Sequence, residues 1–490
     1  MSTTLAIAIL IIYFTLLIIV AHITSKGADT NTFFTANKQS PWYLIAFGMI
    51  GTSISGVTFI SVPGSVGTLN FSYFQVVIGY AIGYLVIGTV LMPLYYRLNL
   101  ISIYTYLEKR FGFWSYKTGA GFFIFSRTIG SAIRLYVAVN VLYLAIFERL
   151  GVSFEITVMI TILLIWVYTY KGGVKTIIWT DTLQTFFLLA ALVITIVLIS
   201  QKMNLGVSDL IGTVKDSQYS SLWVWDIDNK HYFWKDIFSG AFIAIVMTGL
   251  DQDLMQKNLT CKSIGEAQKN MFWFYVVLVF INILFLSLGA LLYLYSTQIG
   301  FEIPAKTDDL YPALALGGQF GVVAAVTFLL GITAATYASS DSALTALTTS
   351  FCIDFLDFEN KEEAYRQKVK NYVHIGFSVL FFLVILIFKK LNSQEVISAV
   401  FNIAGYTYGP LLGLFSFGLF FKKPLRDSFV PFVCLLSPLL TYFIDIHSKE
   451  WFNGYQFGFE KLILNGAITF IGLYILTFFV KNIAINPTKN

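Results

Sequence analysis

The sequence Ala338-Ser339-Ser340-Asp341-Ser342 interrupts an apolar stretch that runs from residue 318 to residue 350. Charged and hydroxyl groups are costly inside a bilayer, so a carboxylate among serines predicts a functional site with a partner. Hard oxygen atoms of this kind favour a small, hard cation. Back-bonding of serine to the carbonyl one turn earlier would explain each hydroxyl separately, but it gives no reason for Asp341.

The composition of the whole chain indicates a membrane protein. Apolar residues make up 57% of the 490 residues and charged residues 12%, whereas charged residues make up roughly 25% of a typical soluble protein. The apolar runs are too long for barrel strands, so we predict an all-α polytopic protein. Hydropathy predicts about thirteen membrane-spanning helices, near residues 4–25, 41–63, 71–97, 116–147, 152–170, 174–201, 233–250, 271–297, 318–350, 371–389, 396–421, 427–446 and 460–481.

The distribution of basic residues predicts the orientation. An N-terminus outside and a cytoplasmic C-terminus place about 20 of the 32 Lys and Arg residues, Lys257 among them, in cytoplasmic segments. Lys389 and Lys390 count against this orientation. We therefore predict a multi-pass protein of the cell membrane, with the lipid bilayer as its surroundings and no obligate protein partner. The net charge of +5 reflects loops that face anionic lipid, and it does not require nucleic acid.

Two of the predicted spans contain breaks. The second span carries two glycines and several hydroxyl residues between Gly51 and Thr58, and the seventh carries the sequence 248–253, TGLDQD. Broken spans at matching places in two halves favour a secondary transporter built from inverted repeats, here spans 2–6 and 7–11. Close packing through small residues is the alternative interpretation of the first break.

Helical spacing groups the polar residues of the ninth span. Thr336, Ser339, Ser340 and Ala343 share one face, and Ser342 borders it. Carbonyls freed at the break in the second span, together with these hydroxyls, would form an oxygen cage suited to sodium (Na+). A proton relay through carboxylates is the alternative, and it would use Asp341 and Asp181.

Three further charged residues lie within apolar spans. Asp181 is followed one turn later by Gln184 and Thr185, on the same face, and it is either functional or an interfacial carboxylate in cytoplasmic water. Arg127 and Arg134 are seven residues apart, so they share a face roughly 10 Å apart along the helix. They predict either recognition of an anionic solute through charge-assisted pairing or structural pairing with buried aspartates.

Other functional classes find little support in the sequence. Cys261, Cys352 and Cys434 lack the spacing of a metal site, and the four histidines are scattered. The chain has no phosphate-binding Walker loop, so ATP-driven transport is not expected. It also has no nucleophile–base motif, so we do not predict an enzyme.

Four motifs resemble those of the sodium:solute symporter family. They are residues 102–111 (SIYTYLEKRF), residues 172–184 (GGVKTIIWTDTLQ), residues 251–258 (DQDLMQKN) and the pair Ser339-Ser340. The resemblance implies one transporter domain over residues 1–490. Its leucine-transporter-type core would be a 5+5 inverted repeat of ten helices within residues 41–421, with extra helices at 4–25, 427–446 and 460–481.

The resemblance also implies two cation sites. One sodium would be bound by the carbonyls of Gly51, Ile54 and Thr336 and the hydroxyls of Ser339 and Ser340. Some members of the family hold a second sodium near the aspartate that matches Asp181, with hydroxyls that match Ser339, Ser342 and position 343. Here position 343 is alanine, and Asp341 stands beside it.

The implied function is sodium-coupled import of a small organic solute by alternating access. We expect an anionic solute, such as sialic acid or another carboxylate; a neutral sugar or polyol is the alternative. Sialic acid carriers of the family place an arginine at the position of Gly130. A transporter-like sensor is less favoured, because no signalling domain follows residue 481. The predicted solute-binding residues are Ser53, Ser55, Thr58, Tyr73, Gln75, Arg127, Arg134, Thr248, Asn402 and Tyr406.

Overall fold

The computed structural model describes residues 2–170, 172–356, 358, 361–391 and 396–479. These residues form helices and connecting loops, apart from an isolated bridge between Ser40 and Cys261. The predicted all-α polytopic fold is therefore confirmed. The long apolar helices within this part of the chain are α1 (Thr3–Thr24), α4 (Tyr73–Arg97), α5 (Phe113–Leu150), α7 (Gly173–Lys202), α10 (Ile264–Ile299), α11 (Gly321–Leu356), α12 (Glu363–Leu391), α15 (Asp427–Ile446) and α16 (Lys461–Phe479).

Three further spans are bent pairs of helices. The pairs are α2 with α3 (Trp42–Ser53 and Gly56–Leu69, bent by 58°), α8 with α9 (Phe233–Gly249 and Gln252–Asn258, 68°) and α13 with α14 (Val396–Thr407 and Gly409–Phe420, 46°). Both predicted breaks are therefore present, and a third occurs before Gly409. Helix α6 (Phe154–Thr169) is apolar but shorter. The count of thirteen spans and the inverted repeat stay predictions.

Short helices cover several of the connections. They comprise Thr30–Thr35, Thr105–Arg110, Val207–Lys215, Leu310–Leu316 and Ser448–Trp451. The segment before α2 contacts the residues that follow α9, where the Ser40 amide donates a hydrogen bond to the Thr260 carbonyl (3.1 Å). Most of the connections are short, whereas the one between α7 and α8 runs over residues 203–232.

The first break leaves backbone oxygens without partners. Helix α2 ends where the Ile54 amide donates to the Ile50 carbonyl (2.8 Å), and Ser55 then adopts an extended conformation. No hydrogen bond from the described residues reaches the carbonyl oxygens of Gly51 or Ile54. Unsatisfied carbonyls at membrane depth are tolerated only where they line a cavity or bind an ion.

At the second break, protein side chains bind two of the exposed carbonyls. The Tyr95 hydroxyl donates to the Gly249 carbonyl (2.8 Å), and the Tyr104 hydroxyl donates to the Leu250 carbonyl (2.9 Å). The Asp251 side chain caps α9 by accepting a bond from the Asp253 amide (2.9 Å). The carbonyls of Gly249 and Leu250 thus have side-chain partners, whereas those of Gly51 and Ile54 at the first break have none among the described residues.

Helices α4 and α8 cross through glycines that bring their backbones together. A methyl group at Gly79 would lie 2.2 Å from the Ile237 carbonyl oxygen, and one at Gly240 would lie 2.1 Å from the Val76 carbonyl oxygen. Small residues of this kind are the usual route to close helix packing in membranes. The crossing fixes α8, and therefore the second break, against α4.

The substitution Gly240→Ala tests this crossing. The added methyl group must push the two backbones apart, and overpacking of this kind costs roughly 1–3 kcal/mol of stability. We expect a lower midpoint of thermal unfolding for the purified protein. Gly376→Ala in α12 is the matched control, because nothing lies within 4 Å of a methyl group there. Equal midpoints for the two variants would contradict the crossing.

Candidate functional site

A polar cavity lies between the broken helices. The empty space between its walls is about 770 Å³, part of which is open to solvent. Its walls come from the α2–α3 break, α4, α5, α8, α10 and α13. The polar and aromatic residues that line it are Thr52, Ser53, Ser55, Thr58, Tyr73, Tyr80, Tyr84, Arg127, Arg134, Thr248, Asn282 and Phe401.

Most of the predicted solute-binding residues line this cavity. They are Ser53, Ser55, Thr58, Tyr73, Arg127, Arg134 and Thr248. Sequence reasoning missed Thr52, Tyr80, Tyr84, Asn282 and Phe401. Tyr80 and Tyr84 could have been predicted, because they follow Tyr73 by seven and eleven residues and therefore share its helix face.

The structure places the other three predicted residues elsewhere. The Gln75 amide donates to the His231 carbonyl (3.0 Å) and to Asp236 (3.1 Å), so it anchors the loop before α8. Asn402 lines a separate cavity, and the Tyr406 hydroxyl bonds to Asp445. A role for these three residues in solute binding stays a prediction.

The two arginines of α5 have different surroundings. Arg127 is buried and forms ion pairs with Asp253 and, at 3.7 Å, with Asp251. Asp251 also accepts a hydrogen bond from the Tyr408 hydroxyl (2.7 Å). No carboxylate of the described residues lies within ion-pair distance of Arg134. Arg134 therefore brings an unpaired guanidinium to the cavity wall.

The residues predicted for the oxygen cage lie at the first break and on α11. A methyl group at Gly56 would lie 2.0 Å from the Thr336 hydroxyl, so the backbone at Gly56 packs directly against the Thr336 side chain. The Ser340 hydroxyl is buried and has no hydrogen-bond partner among the described residues. The Ser339 hydroxyl donates to the Thr336 carbonyl (3.0 Å). Carbonyl and hydroxyl groups without donors suit a hard cation such as sodium, and their assembly into one cage stays a prediction.

The residues predicted for a second cation site are held by different partners. The Asp181 carboxylate lies 2.5 Å from the Lys257 ammonium and accepts a bond from the Thr52 hydroxyl (3.0 Å). Asp341 accepts a bond from the Tyr168 hydroxyl (2.7 Å), and the Ser342 hydroxyl bonds to Asp253.

The predicted position of Lys257 in a cytoplasmic segment is wrong. Lys257 was counted among the cytoplasmic basic residues, but it is 2% exposed and lies on α9 against Asp181. Counting basic residues by their place along the chain does not distinguish a loop from the short helix that follows a break. The partner Asp181 precedes it by 76 residues, so no local pattern reveals the pair.

Broken helices around a polar cavity define the class of secondary transporters built from discontinuous helices. The comparison with known families agrees, because the model of the sodium:solute symporter family matches residues 33–426. The chain belongs to this family.

Several characterised proteins are similar over most of the chain. The sodium/sialic acid symporter SiaT of Proteus mirabilis (strain HI4320) is 24% identical over 86% of this chain and 86% of its own length. The sodium-coupled monocarboxylate transporter 1 of Mus musculus is 26% identical over 76% of this chain and 62% of its own length. A solved structure of a Na+-coupled sialic acid symporter, substrate-bound and outward-open, superposes with a TM-score of 0.81 at 22% identity, covering 97% of this chain and 98% of the other.

Membership in the family establishes that the coupling ion is sodium and that the protein lies in a membrane. The chain is a multi-pass membrane transporter, its transport is coupled to sodium, and the family consists of transporters of solutes. Sodium is therefore a co-transported substrate, and the oxygen groups at the α2–α3 break and α11 fit it.

Ser340→Ala tests the cage. The hydroxyl has no partner in the described structure, so its loss should leave the thermal unfolding midpoint near that of the wild type. As a lost ligand it should raise the sodium concentration for half-maximal stabilisation several-fold. Thr333→Val is the matched control, since its hydroxyl bonds only to the Leu329 carbonyl one turn away. A sodium dependence unchanged by Ser340→Ala would exclude this hydroxyl from the cage.

Proposed function

We propose that this protein imports a small organic carboxylate together with sodium by alternating access, with sialic acid as the first candidate. The observation that carries the proposal is Arg134, which lines the cavity and has no ion-pair partner among the described residues. An unpaired guanidinium in a protein interior is costly unless an anion joins it. A solute carboxylate would supply that charge through a bidentate pair.

The identity of the relatives supports an anionic solute. SiaT is named for sialic acid, and the transporter of Mus musculus for monocarboxylates. In sialic acid carriers of the family the arginine stands at the position of Gly130, and Arg134 follows Gly130 by one helical turn. Residues four apart face the same way, and both line a small side cavity beside Arg127. We propose that Arg134 does here what an arginine one turn earlier does in those carriers.

The ion pairs and hydrogen bonds that connect Arg127, Asp251, Asp253, Tyr408 and Ser342 would close one end of the solute cavity. It joins α5 to the α8–α9 break through Asp251 and Asp253, to α14 through Tyr408, and to α11 through the bond from Ser342 to Asp253. Release of the solute on that side requires these bonds to separate. With the N-terminus outside and the C-terminus cytoplasmic, as we propose, this is the inner side.

The architecture completes the proposal. We propose a single transporter domain whose core, within residues 41–421, is a 5+5 inverted repeat, and which acts without an obligate protein partner. The breaks in α2–α3 and α8–α9 support the repeat, because they fall in the second and seventh predicted spans. A neutral sugar would leave Arg134 uncompensated, so that alternative is not favoured.

Arg134→Gln tests the charge of the solute. If Arg134 pairs with a carboxylate, its loss should cost roughly 2–5 kcal/mol of binding free energy, which is roughly tens- to thousands-fold in affinity. The amide analogue of the same acid, which is uncharged, should lose far less. Binding of both compounds to the wild type and the variant can be measured by calorimetry. Equal losses for acid and amide would show that Arg134 does not recognise charge.

Arg127→Gln serves as the control. It leaves Asp251 and Asp253 buried without their cation, and breaking a buried ion pair costs roughly 3–5 kcal/mol of stability. We expect this variant to lower the unfolding temperature strongly, whereas Arg134→Gln should not. A similar loss of stability in both variants would assign Arg134 a structural role.

A further inference from the structure

We propose that the Lys257 ammonium acts as a built-in cation at Asp181, so that the protein binds one sodium ion per cycle and not two. This inference rests on the proposed function, since it specifies the stoichiometry of the same sodium-coupled transport. It concerns a residue that the sequence pattern placed in a loop and the structure places in the interior.

The geometry shows an ammonium in the position of a bound ion. The Lys257 nitrogen lies 2.5 Å from the Asp181 carboxylate and 2.5 Å from the Thr52 hydroxyl, and Thr52 in turn bonds to Asp181. Lys257 is 2% exposed, Asp181 0% and Thr52 1%. The three residues come from α9, α7 and α2. The ammonium therefore joins both broken spans to α7, at the end of α2 where the first break begins.

The charge balance at Asp181 is complete without a further ion. One buried carboxylate needs one compensating positive charge, and Lys257 supplies it at contact distance. A sodium ion added beside the pair would leave an excess positive charge in a medium of low dielectric constant. Sodium could bind to Asp181 only by displacing the ammonium, which the covalent chain keeps nearby.

Most of the other oxygen groups expected at a second sodium site are engaged or missing; of the Asp341 carboxylate, one oxygen accepts a bond from Tyr168 and the other has no hydrogen-bond partner among the described residues. The Ser342 hydroxyl bonds to Asp253, and the Ser339 hydroxyl donates to the Thr336 carbonyl. The Thr185 hydroxyl accepts a bond from the Gly51 amide (3.0 Å). Position 343, where the family resemblance led us to look for a hydroxyl, is alanine.

The α2–α3 break and α11 offer a contrasting environment. There the carbonyls of Gly51 and Ile54 accept no hydrogen bond from the described residues, and the Ser340 hydroxyl is without a partner in that part of the chain. Oxygen atoms without donors are what a sodium ion requires, whereas Asp181 already has a donor from Lys257. One ion at the cage and one tethered ammonium at Asp181 follow from this difference.

Counting bound sodium tests the inference without knowledge of the solute. The measurement is sodium-22 bound per molecule of purified protein at saturation, with choline balancing the ionic strength. We expect one ion for the wild type. Two ions in the wild type would overturn the inference while leaving sodium-coupled transport intact. No sodium binding in the wild type would instead contradict the proposed function, and this inference with it.

Three variants identify the role of Lys257. Lys257→Gln frees Asp181, so the number of bound sodium ions should double to two. Lys257→Arg keeps the charge, and the double variant Asp181→Asn/Lys257→Gln removes both charges, so each should bind one ion. A folded Lys257→Gln protein that still binds one ion would overturn the inference, as would a second ion in the double variant. If Lys257→Gln does not fold, the number of sodium ions bound by the wild type and by the double variant still tests the inference.

Discussion

The structure depends on one constraint, which is that every polar group exposed by a helix break inside the membrane must find a partner. The α8–α9 break meets it with protein groups, because Tyr95 and Tyr104 donate to the carbonyls of Gly249 and Leu250. The α2–α3 break does not, because the carbonyls of Gly51 and Ile54 accept no bond from the described residues. The first break therefore has backbone oxygens available where we propose that sodium binds.

Buried charges obey the same constraint and divide the interior into three regions. Arg127 is compensated by Asp251 and Asp253, and Lys257 is compensated by Asp181. Arg134 is left without an anion on the cavity wall, which gives the cavity its positive character. The first two arrangements hold helices together, and we propose that the third recognises the solute. The chemistry of transport thus follows from which charges the fold leaves unpaired.

Local sequence patterns were enough for the all-α membrane fold, for both predicted breaks and for seven of the residues that line the cavity. Glycine and hydroxyl residues between Gly51 and Thr58 signal a break because they weaken a helix locally. Pairing between distant helices has no such signal. The bond between Lys257 and Asp181 and the contact of Gln75 with the loop before α8 depend on how the helices pack. The helical period does relate Tyr80 and Tyr84 to Tyr73, so that face of the cavity was predictable.

The central claim is that sodium at the first break and a carboxylate in the cavity bind cooperatively. Calorimetric titration of sialic acid into the purified protein, in sodium and in choline buffer, tests it most directly. Sodium should raise the affinity for the acid, and the acid should raise the affinity for sodium by the same factor, since linkage is reciprocal. An affinity for the acid that is the same in both buffers would contradict the account.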